Sequence, residues 1–207
     1  METTIGQFKQ LFRILKHPVD GFWELRYESR GSWWSATILL LAACVVSFVS
    51  NLTTNYIFHP VEIKFIDPFS IVLKVMVPFL SWVVSNYMVS AIKHGQGRFI
   101  DVFIGSAYAL GPYILFAIPL AVISNALTLS EGVLYTFGND LIAAWCVFLF
   151  FVSVKEIHNY ELGETIFNIV LSLIFMILLW FIFAVFVGLN TQLAAFINQI
   201  IEEVSIR

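Results

Sequence analysis

The chain has 207 residues, 59% of them apolar or aromatic and only 12% charged, where soluble domains carry roughly a quarter charged residues. So few charges cannot coat a soluble globule of this size. Eleven Lys and Arg against fourteen Asp and Glu leave a net charge of −3, without the basic excess that accompanies nucleic-acid binding. The two cysteines, Cys44 and Cys146, both sit in apolar runs, which excludes a disulfide framework.

Residues 1–32 are the one extended polar stretch and hold five of the eleven basic residues: Lys9, Arg13, Lys16, Arg26 and Arg30. Ile5, Phe8, Leu11, Phe12 and Leu15 recur at helical spacing with Lys9, Arg13 and Lys16 off that face, the pattern of an interfacial amphipathic helix with three membrane-surface cations. His17-Pro18 ends it, because a residue before proline is driven out of the α region. An apolar-aromatic patch of Phe22, Trp23, Leu25 and Tyr27 leads to Trp33-Trp34, an aromatic belt at the membrane boundary.

Residues 33–190 contain five apolar runs that reach or approach the roughly 20 residues needed to cross a bilayer. They are predicted at Trp33 to Thr54, Ser70 to Ile92, Val102 to Asn125, Asn139 to Val154 and Thr165 to Leu189, the fourth being the shortest. Leu41-Ala42-Ala43-Cys44 matches a lipoprotein cleavage box, but the apolar run continues through Val45, Val46, Phe48 and Val49, so it reads as a spanning helix. The segment Tyr56 to Pro68, with Pro60, is read as an outer-surface loop. In residues 191–207, Leu193, Phe196, Ile197, Ile200, Ile201 and Val204 recur at helical spacing. They form an extracytoplasmic amphipathic helix, either a continuation of the fifth span or a segment lying on the outer leaflet. The expected fold is therefore all-α: a polytopic five-helix membrane protein.

Orientation follows from lysine and arginine. With the N-terminus cytoplasmic, eight basic residues fall inside and three outside, Lys64, Lys74 and Arg207. That bias obeys the positive-inside rule and puts the C-terminus outside.

Chemistry-bearing patterns are sparse. HExxH, GxSxG and P-loop motifs are absent from the sequence. The interiors of the third, fourth and fifth predicted spans hold no charged residue and no histidine, and Lys74 lies near enough to a span end to snorkel. His17, His94 and His158 lack metal-ligand spacing and read as solvent-facing loop histidines. What the spans offer is small residues four apart: Ser81 with Ser85, Gly105 with Ala109, and Ala107 with Gly111. Such pairs let helix backbones approach. Pro78, Pro112 and Pro119 kink helices and free carbonyls, for which Ser106 and Tyr108 are the nearest donors.

The stretch Gly97 to Tyr113 resembles the third-span signature of the Yip-domain family, the Rab-interacting integral membrane proteins and their bacterial relatives. Gly105, Tyr108, Ala109, Leu110 and Pro112 match its pattern, with Gly111 between them. His17-Pro18 and Phe22-Trp23 resemble the bacterial branch. The resemblance covers residues 15 to 188 and implies five spans and a cytosolic N-terminus, and it implies no enzymatic activity; from the motifs above, no cofactor or metal is expected. Eukaryotic members bind small GTPases through a cytosolic region with an acidic Tyr-Gly-Pro motif. Here that region is short and basic, and the nearest echo, Ile66-Asp67-Pro68-Phe69, lies beyond the first span. GTPase binding is thus disfavoured.

The expected function is a non-enzymatic membrane scaffold or accessory subunit of a transport or export assembly. The alternative is a channel or lipid-handling protein using a groove between kinked helices. Expected partners are membrane lipid and other integral membrane proteins or further copies of the chain. The expected location is a bacterial plasma membrane.

Overall fold

The structure, a computed structural model, describes residues 4–28, 30–58, 67–93 and 95–205. The expected outer loop around Pro60, His94, and the side chains of Ile5, Phe8, Ile200, Ile201 and Val204 lie outside the described residues or side chains. Eight α-helices are described: α1 (Thr4–Lys16), α2 (Pro18–Tyr27), α3 (Trp33–Thr53), α4 (Pro68–Ile92), α5 (Phe99–Ala109), α6 (Gly111–Ser124), α7 (Gly132–His158) and α8 (Leu162–Ser205). A 3-10 turn, Leu129–Glu131, precedes α7. Among the described residues there is no strand.

Five helical stretches are long and apolar enough to cross a membrane: α3, α4, the α5–α6 pair, α7 with its preceding turn, and α8. Local chemistry sets their ends. The Ser32 hydroxyl accepts the Ser35 amide at the start of α3. The Asp67 carboxylate accepts the Phe69 and Ser70 amides at the start of α4, ahead of Pro68 in the first turn. Asn159 ends α7 in the left-handed region (φ 55°, ψ 46°), a conformation that asparagine tolerates and that returns the Tyr160 amide to the Lys155 carbonyl at 3.1 Å.

Two differences from the sequence reading have clear causes, and for the fifth span the structure has one of the two alternatives left open. The third span is broken at Leu110, because Pro112 has no amide for the Tyr108 carbonyl and its ring crowds that carbonyl. The fourth span, expected at Asn139 to Val154, is 27 residues long. Its flanks contain Asp140, Lys155 and Glu156, which interrupt the apolar run without interrupting the helix. The fifth is one continuous helix of 44 residues, about 66 Å at 1.5 Å per residue, twice the hydrocarbon thickness of a bilayer.

Helix α4 packs chiefly on α8, α3 on α5 and α6, and α7 on α2, α5 and α6. Tyr108, Leu149, Val83, Ala36 and Ala107 are fully buried at the centre. Helix α1 does not lie free: Leu11 and Ile14 are buried, and the expected apolar face packs on α2, α3 and α6, while Phe12 points outward. The patch from Phe22 to Tyr27 is a helix whose Phe22 and Leu25 are buried and whose Trp23 and Tyr27 are exposed.

Candidate functional site

The signature residues occupy the junction of α5 and α6. Gly105 faces α7, and a Cβ there would overlap the side chains of Ser153 and Ile157. Gly111 faces α1, where a Cβ would stand 2.8 Å from Leu11 Cδ1. At each glycine a neighbouring helix comes too close to leave room for a Cβ. Ala107 and Ala109 are buried. Tyr108 is fully buried and its hydroxyl donates to Ser35 Oγ at 3.2 Å, tying the broken span to the start of α3. That bond reaches across to α3; it is not aimed at a carbonyl freed by proline. Leu110 is the break itself, and Pro112 is buried in the first turn of α6.

Ser81 and Ser85 lie on α4 one turn apart. Ser81 Oγ donates to the Val77 carbonyl at 2.6 Å and accepts from Trp180 Nε1 at 3.1 Å, a cross-link to α8. Ser85 is fully buried, and its Oγ has no hydrogen-bond partner among the described residues.

The densest polar site was not among the sequence candidates. His158, read as a loop histidine in solvent, is 1% exposed at the end of α7. It is surrounded by Asn86 and Ser90 of α4 and Asn168 and Ser172 of α8, all buried. The Gly97 amide donates to His158 Nδ1 at 3.3 Å, so Nε2 carries the proton. It donates to Asn86 Oδ1 at 3.1 Å, with Ser90 Oγ at the same distance. Asn86 Nδ2 donates to Asn168 Oδ1 at 2.9 Å, Asn168 Nδ2 donates to Ser90 Oγ at 3.2 Å, and Ser90 Oγ donates to the Asn86 carbonyl at 2.6 Å. A backbone amide starts the chain of bonds and a backbone carbonyl ends it, so every proton in between has one direction.

The Gly95–Arg98 loop closes the site. A Cβ at Gly97 would fall 2.8 Å from His158 Nδ1, and one at Gly95 would overlap the Tyr160 hydroxyl. The Tyr160 ring stacks on His158 at 5.3 Å, and burial pushes its phenol above the usual range. The Ser90–His158 pair has a nucleophile-and-base separation, but its protons run the wrong way. Nε2 already donates, and the serine proton is committed to a carbonyl, so the arrangement is a clamp between α4, α7 and α8. The sequence held a signal for it: Asn86 with Ser90 and Asn168 with Ser172, two polar pairs spaced four apart in otherwise apolar helices.

Two further features border the spans. An apolar groove of about 580 Å³ opens beside Pro78 of α4 and the break at Leu110, lined by Val75, Phe79, Trp82, Tyr113 and Phe150 among others. On α1, Lys9, Arg13 and Lys16 are all exposed, and Arg13 is ion-paired with the buried Glu24 of α2. Among the described residues no group of three or more His, Cys, Asp or Glu is placed to hold a metal.

No curated protein and no solved structure matches the chain. Residues 12–189 match the family model of the Yip1 domain, a range that takes in the broken span and the clamp and ends near the level at which α8 leaves α4. The chain therefore belongs to the Yip1 domain family of integral membrane proteins.

Proposed function

We propose that the protein is a non-enzymatic membrane scaffold or accessory subunit that packs against other integral membrane proteins, as in a transport or export assembly of a plasma membrane. The observation that carries this reading is α8. Trp180 meets Ser81, and Phe183 lies beside Lys74 and Ser70, close to where α4 begins at Pro68. The helix then continues for roughly 16 residues, about 24 Å, past the end of its partner. From Phe181 to Gln199 every residue is exposed except the half-buried Gly188. Part of that surface meets lipid, but 44 residues of one helix exceed what a bilayer covers, and a protein partner is the natural cover for the rest.

Because both native cysteines are buried, single cysteines at Phe186, Leu193 and Phe196 can report neighbours by crosslinking in native membranes. Adducts to a defined membrane protein support the scaffold reading. Unlinked protein at all three positions would overturn it.

A second reading rests on the groove beside Pro78. Its apolar lining and its place between the proline-bearing α4 and the broken α5–α6 span suit an acyl chain, which makes lipid handling the alternative. Reconstituted liposomes test it directly: lipid scrambling or ion flux no greater than in empty vesicles rejects it.

A further inference from the structure

A concave surface of about 510 Å³ lies between α1 and the chain leading into α3, lined by Lys9, Gln10, Arg13, Lys16, His17 and Arg30. Its floor is organised by one carboxylate. Glu24, 6% exposed, binds the Arg13 guanidinium through Oε1 and the Arg30 guanidinium through Oε2 at 3.2 Å. Gln10, also buried, donates to Glu24 Oε2 at 3.2 Å and to the Gly21 carbonyl at 3.1 Å. Arg30 also pairs with Glu28 at 2.7 Å. Two guanidiniums are thus held by the same carboxylate before any ligand arrives, and guanidinium is the cation whose N–H groups suit phosphate oxygens.

The charges do not balance. Four cations, Lys9, Arg13, Lys16 and Arg30, converge on a surface where Glu24 and Glu28 are the carboxylates paired with them. Lys9 and Lys16 have no carboxylate partner among the described residues. The position also fits an interfacial ligand. Leu11 of α1 packs under Gly111, and Tyr108 meets Ser35, so the surface lies near the level at which α3 begins. There Trp33 and Trp34 are exposed, as is Phe12 on α1, which is how a protein marks the headgroup zone.

We propose that this surface is a binding site for a phosphate-bearing anion, either the headgroup of an acidic phospholipid or a soluble phosphate ester. Arg13 and Arg30 hold the phosphate oxygens, and Lys9 and Lys16 supply the remaining charge. The site lies at the opposite end of the spans from the projecting part of α8 and does not depend on the scaffold reading.

The test uses the full-length protein in zwitterionic detergent, with bound lipid read by native mass spectrometry and titrations of phosphatidylglycerol, glycerol 3-phosphate and oleate. Phosphatidylglycerol is expected to bind, and the double variant Lys9→Ala/Lys16→Ala to bind it about 30-fold more weakly, from roughly 1 kcal/mol for each lysine. Both lysines are exposed and have no ion-pair partner among the described residues, so that variant is expected to keep its thermal stability. Arg30→Lys, which keeps the charge but loses the fork, is expected to weaken binding as well. Phosphatidylglycerol bound without glycerol 3-phosphate identifies a lipid headgroup; both bound with the same dependence on the lysines identifies the phosphate ester itself. Oleate bound as tightly as phosphatidylglycerol, or affinity unchanged in the double variant, overturns the proposal.

Discussion

Asn86 bonds to His158 and Asn168 at once and lies within 3.4 Å of Ser172, so replacing it strands groups on both neighbouring helices. A buried polar group left without a partner costs about 1–3 kcal/mol, and side-chain hydrogen bonds between membrane helices average nearer 0.6. Asn86→Leu and Asn168→Leu are each expected to lose about 1–2 kcal/mol of stability in detergent, and the double variant less than the total of the two. Additive losses would mean the bonds do not act as one relay. Gly105→Ala is expected to cost about 1–3 kcal/mol by overpacking against Ser153 and Ile157, whereas Gly163→Ala, with open space around it, is expected to be neutral. Equal thermal midpoints for the two would remove the close-approach argument. Tyr160 adds a pH dependence. Its phenol titrates higher in the fold than its ordinary value near 10, so the stability it contributes is present below that value and lost as pH rises through the folded one. Comparing wild type with Tyr160→Phe above pH 10 checks this: the variant should show the shallower alkaline loss.

Among the elements, α5–α6 and α8 departed most from a simple reading. Periodicity alone gives one third span, since both halves are apolar; proline chemistry breaks it, and Tyr108 fixes the break by bonding to Ser35. The clamp was harder to see because its partners are far apart in the chain, Asn86 and Asn168 being 82 residues apart. No local spacing reports that α4 and α8 pack together. His158 was misread for the same reason: beside Lys155 and Glu156 it looks like loop, whereas the left-handed turn at Asn159 keeps it in α7 and under Gly97. For α8, the exposed end is expected to be dispensable for folding. Truncation after Asn190 should leave the thermal midpoint of the purified protein within about 1 °C, because a surface without packed neighbours contributes little. A large loss of stability would show that this end packs within the molecule.

For the whole molecule, five crossings put α1 and α2 at one end of the bundle and the projecting part of α8 at the other. By the positive-inside rule, the excess of lysine and arginine at the α1–α2 end leads to the expectation that this end faces the cytosol. An impermeant thiol reagent applied to intact cells is therefore expected to label a cysteine placed at Leu193 and to spare one placed at Phe12. The reverse labelling would invert the orientation. Composition and run length were enough for the class and for five crossings, because the cost of unpaired backbone polar groups in lipid leaves helices as the only way to thread such segments. Basic counts led to an orientation, and the glycine-proline signature to the family. Packing alone decided the rest: that α1 docks on its own bundle, that Glu24 holds two arginines, and that a histidine closes a relay between three helices. Each depends on helices meeting at particular registers, and register between distant segments is set by the shapes of their faces, which a linear pattern of apolar and polar residues does not encode.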